Sequence, residues 1–567
     1  MPSSKQYLPL NDRSWRIEAR STVEPSTEPV GQRSDEMQME TQAIELTSLD
    51  SAQLSRVSVH KTSQLEEDDF DSVLNDTDPE ERLLTQDPVN GNMSTNGGSN
   101  FNENLLESRG KLKGQLLLYF TSFLVSLGVF LFGYDQGVMS GIITGKYFKQ
   151  QFNNPSSAMI GTTVAILEIG AFFSSLTVGR VGDIIGRRRT IRYGAFIFVV
   201  GGLLQTAASN LKVLIAGRII SGIGVGLLST IVPMYQAEIS PSHNRGKLAC
   251  AQFTGNIFGY ASSIWVDYGC SFIENNLSWR IPLFIQCVIG SLLAGGSYII
   301  VETPRWLLHK DRDIEGLVVI ADLYTNGETD HHRARKEFDS IKSSILEARA
   351  IGEKRYIDLF TVYPKRLFMA TSALAFAQFN GINIISYYAP LVFEQAGWIG
   401  REAVLMTGLN AIIYILSTLP PWLLIDRWGR KPILICGGIT MGLSMLLVSI
   451  FMGLNLKNTP QLVVIFIITA NSSFAYSWGP IPWLFPSEIL PLTFRSKGAS
   501  LATATNWLAN FIVGEFSPIL LEKITWRVYL IHATFCFTSA LVAYLVYPET
   551  RGVDLEDMDR LFDEKRK

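Results

Sequence analysis

Three carboxylates and one guanidinium stand inside runs of sequence that are otherwise apolar. Asp135 lies in FGYDQGVMSG, directly after QLLLYFTSFLVSLGVFL (115–131), which carries no charge; Glu168 sits in LEIG, Glu515 in VGEF and Arg218 in AGRIISG. An ionised carboxylate at the centre of a bilayer costs a few kcal/mol, so such groups mark ion or proton pathways. The chemistry open to them is reversible protonation. A neighbouring arginine favours the ionised acid, whereas burial without one favours the proton. His532, also in an apolar run, is expected to be a packed, neutral imidazole.

A second set of charges recurs in order. GRVGDIIGRRR (179–189) is echoed by IDRWGRK (425–431), EISPSHNR (238–245) by EILPLTFR (488–495), and SWR (278–280) by TWR (525–527), at offsets of 243 to 250 residues. Three echoes in register identify an internal duplication. Acids and arginines at helix ends can pair, neutralise one another and close a mouth. Asp183, Arg187, Glu238, Arg245, Glu302 and Arg305 would do this in the first copy, and Asp426, Arg430, Glu488, Arg495 and Glu549 in the second.

Both sets must be held by helices that cross a membrane. Apolar runs of about 20 residues, the length a 30 Å hydrocarbon layer demands, fall at 114–136, 158–178, 191–209, 211–236, 248–267, 281–301, 367–392, 403–425, 432–454, 462–485, 498–520 and 526–547. The expected fold is therefore an all-α membrane protein of twelve transmembrane helices in two pseudo-symmetric halves, 114–301 and 367–547. Between them, 302–366 reads as a cytosolic loop with short surface helices. Two such halves rocking about a midplane site are characteristic of transporters. Arg180, Arg187, Arg188, Arg189, Arg245, Lys247, Arg427, Arg430 and Lys431 crowd loops of one parity, against scattered Lys146, Lys149, Lys457 and Lys523 in the other. The positive-inside rule then places both termini in the cytosol, and the sequon at Asn276 outside.

The rest of the chain is dilute in apolar signal. Its 567 residues carry a net charge of −3, but residues 1–110 hold 21 acids against 9 bases. A stretch such as QLEEDDFDSVLNDTDPEE (64–81) cannot bury a core, so 1–110 is expected to be a disordered, acidic cytosolic tail that engages trafficking or ubiquitination machinery. No apolar signal core precedes it. Residues 548–567 form a short second tail. The five cysteines have no metal-ligand spacing. No Walker loop, zinc-type histidine pair or nucleophile elbow is present, and GIGVG (222–226) lies inside an apolar run with no strand before it, so an enzyme is not expected. No cofactor beyond a coupling proton, no metal and no nucleic-acid partner are expected, and the chain is read as a monomer.

With GRVGDIIGRRR, GRIISGIGVGLLSTIVPMYQAEISP (217–241), ETPRW (302–306), QFNGINIISYYAP (378–390), DRWGRK (426–431), GPIPWLFPSEILP (479–491) and PETRG (548–552), the chain resembles the sugar porter family of the major facilitator superfamily over about residues 114–552. WVDYG (265–269) resembles a fungal branch. The resemblance implies a central cavity for a sugar or polyol, lined by Gln378, Asn383 and Tyr387, by Trp483, and by Asn506, Trp507 and Asn510. Amides donate and accept to vicinal hydroxyls, and indole faces pack on the C–H face of a sugar ring. It also implies that Asp135 pairs with Arg218 as the proton site of a symporter in a plasma membrane. Three positions depart from the family pattern. Ala377 precedes Gln378 where two glutamines are usual, Phe253 stands beside Gln252, and Tyr414 stands one turn from Asn410. Fewer amides leave a pentose, polyol, glycerol-like compound or disaccharide open. Passive facilitation and nutrient sensing are the alternatives to symport; the sensors that resemble this family carry a long C-terminal tail, and here the extension is N-terminal.

Overall fold

The computed structural model describes residues 112–240, 245–351, 356–491, 494–551 and 562. The expectations for the tail at 1–110, and for most of 548–567, lie outside these residues. The described chain is helical. Six long helices come first: α1 (Gly114–Ile142), α2 (Ser157–Ile185), α3 (Arg187–Thr206), α4 (Leu211–Ile239), α5 (Arg245–Cys270) and α6 (Leu277–Gly296). The charged linker then forms α7 (Pro304–His309), α8 (Asp313–Tyr324), α9 (His332–Ile351) and α10 (Tyr356–Val362). The second long set is α11 (Pro364–Phe379), α12 (Ile382–Ala396), α13 (Arg401–Ser417), α14 (Pro421–Trp428), α15 (Arg430–Leu454), α16 (Thr459–Tyr476), α17 (Ile481–Ile489), α18 (Arg495–Lys523) and α19 (Val528–Leu545).

Among the described residues, nine segments are long and apolar enough to cross a membrane. α3, α5 and α18 occupy the remaining expected positions but are less apolar, since they open on RRRTIR, RGKLACAQ and RSKGASLATATN.

Three of the expected continuous spans are interrupted, each for a local reason. α11 and α12 meet at Asn380 and Gly381, where the glycine adopts φ +89°. α13 and α14 part at Pro420–Pro421, where the second proline has no N–H to continue a helix. α16 and α17 part at the Ser477–Pro480 corner, whose Ser477 is non-helical. Breaks of this kind at membrane depth occur where backbone is buried in protein or lines a cavity.

The glycines of GIGVG serve close packing: a Cβ on Gly222 would overlap the Leu167 carbonyl of α2. Leucines, phenylalanines and tyrosines such as Leu116, Phe123, Phe173, Leu292, Leu443 and Leu545 are exposed, as a lipid-facing surface requires. One buried cluster joins Tyr134, Val138, Met139 and Ile142 of α1 to Ile384, Ile385, Val392 and Phe393 of α12, so the first and second helix sets share a core. α2 and α18 also run against one another along their length.

Candidate functional site

Asp135 and Arg218 form a buried ion pair. Arg218 Nη1 donates to both carboxylate oxygens of Asp135, at 3.0 and 3.2 Å, and Nη2 donates to the Val164 carbonyl of α2 at 2.7 Å. Their side chains are 2% and 3% exposed. Removing one partner of so dry a pair would strand a charge, which costs about 3–5 kcal/mol.

The amide residues meet on the broken helix. Gln378 lies just before the break and Asn383 just after it, so the kink turns both side chains toward α18. Gln378 Nε2 donates to Asn506 Oδ1 at 2.6 Å, and Asn383 Nδ2 donates to Gln378 Oε1. Asn383 Nδ2 also donates to Asn510 Oδ1 at 2.6 Å, and Asn510 Nδ2 to the Tyr387 hydroxyl at 2.9 Å. Tyr387 in turn donates to Glu168 Oε1 on α2 at 2.8 Å. The result is one buried string, Asn506–Gln378–Asn383–Asn510–Tyr387–Glu168. The four amides can exchange their internal partners for ligand hydroxyls.

The remaining cavity candidates are placed less centrally. Trp483 is half-buried beside the second-half core, and the ring of Phe253 of α5 packs tilted on Phe474 of α16 at 6.3 Å. Trp507 is fully buried against Phe132 of α1, at 5.1 Å and near-perpendicular, with its indole N–H unpartnered among the described residues. Gln252 donates to Gln236 of α4 at 2.6 Å. Asn410 is fully buried, and neither its amide nitrogen nor its oxygen has a partner among the described residues. Tyr414 stands T-shaped on Tyr260 at 6.1 Å.

The charge clusters centre on Arg187 and Arg430. Arg187 binds Glu238 through Nε and Nη2 (both at 3.1 Å) and Asp183 through Nη1 at 2.9 Å. Arg430 Nη2 binds Glu488 at 2.9 Å, and Thr550 donates to the other oxygen of Glu488 at 2.6 Å. Glu302 accepts the backbone N–H groups of Arg187 and Arg188 at 3.0 and 3.1 Å, and Glu549 those of Arg430 and Lys431, both at 2.9 Å. Each acid thereby satisfies the orphan donors at the start of a helix (α3 or α15) whose own N-cap is a glycine. Gly186 and Gly429 hold φ +95° and +93°. At both, a Cβ would run into the capping carboxylate. Burial holds the Glu302 carboxyl above its ordinary range, opposed by the N–H bonds it accepts from Arg188 and Thr303 and by the Arg187 charge.

The other cluster residues sit around these centres. Arg305 is half-buried on α7, with no side-chain hydrogen bond or ion pair among the described residues. Arg495 opens α18 and Arg245 opens α5. The side chains of Arg245 and Asp426 lie outside the description. His532 donates from Nδ1 to the Phe379 carbonyl at 2.9 Å, against the α11–α12 break. Glu515 accepts from Thr162 of α2 at 2.7 Å. The exposed Asn276 donates to Gln151 at 3.1 Å.

Three functional-site neighbours are not on the list of sequence candidates. Gln236 pairs with Gln252. Tyr388 donates to the Gly514 carbonyl at 2.7 Å. Asp267, in the WVDYG segment, is a further intramembrane acid, and its Oδ2 accepts the Gly141 N–H of α1 at 3.2 Å. An acid within an apolar run was the available signal for Asp267, as it was for Asp135.

A family profile described as "Sugar (and other) transporter" matches residues 121–562. The chain belongs to this family. An MFS-type transporter of Aspergillus cristatus, criB, is 36% identical over 440 residues, covering 77% of this chain and 91% of that protein. A high-affinity glucose transporter of Kluyveromyces lactis is 32% identical over 472 residues, covering 78% and 85%. Among solved structures, the E. coli proton:xylose symporter XylE, bound to 6-bromo-6-deoxy-D-glucose, superposes with a TM-score of 0.69 at 27% identity, covering 78% of this chain and 98% of that one. The transporter therefore has the major facilitator fold.

Proposed function

We propose that this transporter carries a sugar or related polyol by alternating access, coupled to a proton held on Asp135. The observation that supports it most is the continuity between the buried Asp135–Arg218 pair, the α2 segment holding Val164 and Glu168, and the amide string of α11, α12 and α18. A solute whose hydroxyls replace the internal bonds of Gln378, Asn383, Asn506 and Asn510 would perturb Tyr387, and through it the helix that also anchors Arg218. Opening of the ion pair would then favour a proton on Asp135, and closure would favour its release. The charge clusters around Arg187 and Arg430 would close the cytosolic mouth. Phe253 and Tyr414 leave fewer amide contacts for hydroxyls, which keeps a pentose, polyol, glycerol-like compound or disaccharide open as the solute.

The plasma membrane, cytosolic termini, a monomeric state and a tail that engages trafficking or ubiquitination machinery complete the reading. A passive facilitator is the rival. It is favoured by the dryness of the ion pair, which could serve as a permanent brace. Uptake of labelled glucose, xylose, xylitol, glycerol and maltose by transporter-null cells, with and without a protonophore, tests the proposal. Protonophore-sensitive accumulation of one of them is expected. Transport that merely equilibrates would leave the facilitator.

A further inference from the structure

Among the described residues, Arg218 makes all its bonds through its two terminal nitrogens, and its buried Nε has no partner. Glu168 has the complementary defect: Oε1 accepts from Tyr387, and the buried Oε2 has no partner among the same residues. The two residues are already neighbours. Val164, whose carbonyl Arg218 holds, lies one helical turn before Glu168 on α2, so both face the same side of that helix. Two carboxylates from α1 and α2 therefore flank one guanidinium from α4, and the guanidinium is bonded to only one of them.

We propose that Glu168 is the second seat of Arg218, and that the arginine passes from Asp135 to Glu168 when Asp135 takes up its proton. This rests on the proton-coupled reading above and names the residue that carries the coupling. The proton binds a carboxylate oxygen of Asp135, taken from water on the side to which the pathway is open. The Arg218–Asp135 bonds break, and Arg218 bonds form to the free Oε2 of Glu168. With Glu168 ionised throughout, the trio passes from one net negative charge to neutral, and reverses when the proton leaves. Without a second anion, Arg218 would have to sit unpaired in a dry site, a state costly enough to block the transition.

The position of Tyr387 makes the exchange sensitive to substrate. Its hydroxyl is shared between Glu168, to which it donates, and Asn510, from which it accepts. A solute that takes the Asn510 amide or the Tyr387 hydroxyl weakens the hold on Glu168 and leaves that carboxylate more available to Arg218. The groups facing Glu168 are Asp135 on α1, Arg218 on α4, and Tyr387 and Tyr388 on α12. Glu515 on α18, bonded to Thr162, follows Gly514, whose carbonyl accepts from Tyr388. Arg218 is the only cation among them.

The test uses full-length protein in liposomes and whichever of labelled glucose, xylose or glycerol the wild type accumulates. Glu168→Gln keeps the shape and the acceptor for Tyr387 but removes the anion. Arg218 then stays on Asp135, so the pH midpoint of driven uptake should move about one unit toward acid, a tenfold loss of proton affinity. Driven uptake at neutral pH should fall about tenfold with it, while substrate counterflow persists. Glu168→Asp, which restores the charge, should recover most of the driven uptake. Tyr387→Phe should move the midpoint toward alkaline, because it releases Glu168 to Arg218.

Driven uptake and a pH midpoint in Glu168→Gln equal to wild type would overturn the inference. So would loss of counterflow and uptake together with no recovery in Glu168→Asp, since that is the signature of a brace. Wild-type uptake insensitive to a protonophore would instead defeat the symport reading. In that case an infrared titration of the protonated Asp135 carboxyl, assigned by its absence in Asp135→Asn, still decides the inference. A band midpoint shifted by Glu168→Gln supports the exchange, and an unmoved one refutes it.

Discussion

Removing the capping carboxylate of either charge cluster should destabilise the transporter by the same amount. Glu302→Ala leaves the backbone N–H groups of Arg187 and Arg188 without their acceptor, and Glu549→Ala does the same to Arg430 and Lys431. A lost N-cap costs about 0.5–2 kcal/mol, and hydrogen bonds to a charged group about 1.5–3 kcal/mol. No side chain at Gly186 or Gly429 can substitute, so roughly 2–4 kcal/mol is expected at each. At about 2 °C per kcal/mol for a domain near 200 residues, the unfolding midpoint should fall by roughly 4–8 °C. Gln at either position keeps one acceptor oxygen and should lose less than half of that.

The sign with pH follows from burial. The folded carboxyl of Glu302 lies above its unfolded value, so the folded state holds more protons in that window. Stability is thus greatest below the unfolded value and falls as pH rises through the folded one, and Glu302→Gln should remove that part of the slope. Dye-monitored unfolding of the purified protein in detergent, across pH, measures all of this. A change under about 1 °C in either Ala variant would refute the capping argument, as would a large effect confined to one cluster.

Other substitutions test the pathway. Asn383→Ala removes the donor to both Gln378 and Asn510 and should raise the half-saturation concentration about 5–30-fold, for about 1–2 kcal/mol, with surface abundance unchanged; an unaltered uptake curve would move the site elsewhere. Gly141→Ala puts a Cβ 2.6 Å from Asp267 Cβ and 2.7 Å from its carboxylate, which should cost about 1–3 kcal/mol of overpacking, read as a lower unfolding midpoint; an unchanged midpoint would show that α1 and α5 can part there freely. Deleting residues 2–105 should leave uptake per surface copy unchanged while slowing turnover, and a tenfold loss per copy would contradict a role in trafficking alone.

The charge clusters were legible because their determinants are local. An acid, a glycine and two arginines within a few residues, repeated 243 residues on, carry the geometry of Asp183–Arg187 and of the glycine-capped starts at Arg187 and Arg430 in the sequence itself. Asp135 and Arg218 were legible because an unscreened charge in an apolar run needs a partner, and Arg218 is the only arginine deep in one. The Tyr387–Glu168 bond was not legible: its ends are 219 residues apart, and a tyrosine beside a second tyrosine gives no hint of which one turns inward. The broken spans carried signals, Asn380–Gly381 and the two Pro-bearing corners, but hydropathy runs straight through them.

The measurement closest to the centre of this reading compares proton-driven uptake with counterflow, in the same vesicles, for wild type and Asp135→Asn. The Asn variant keeps the shape and one acceptor for Arg218 but cannot carry a proton. Coupling through Asp135 predicts wild-type accumulation abolished by a protonophore. In the variant, accumulation should be lost and its pH dependence flattened, with counterflow retained. Concentrative, protonophore-sensitive uptake by Asp135→Asn would contradict it.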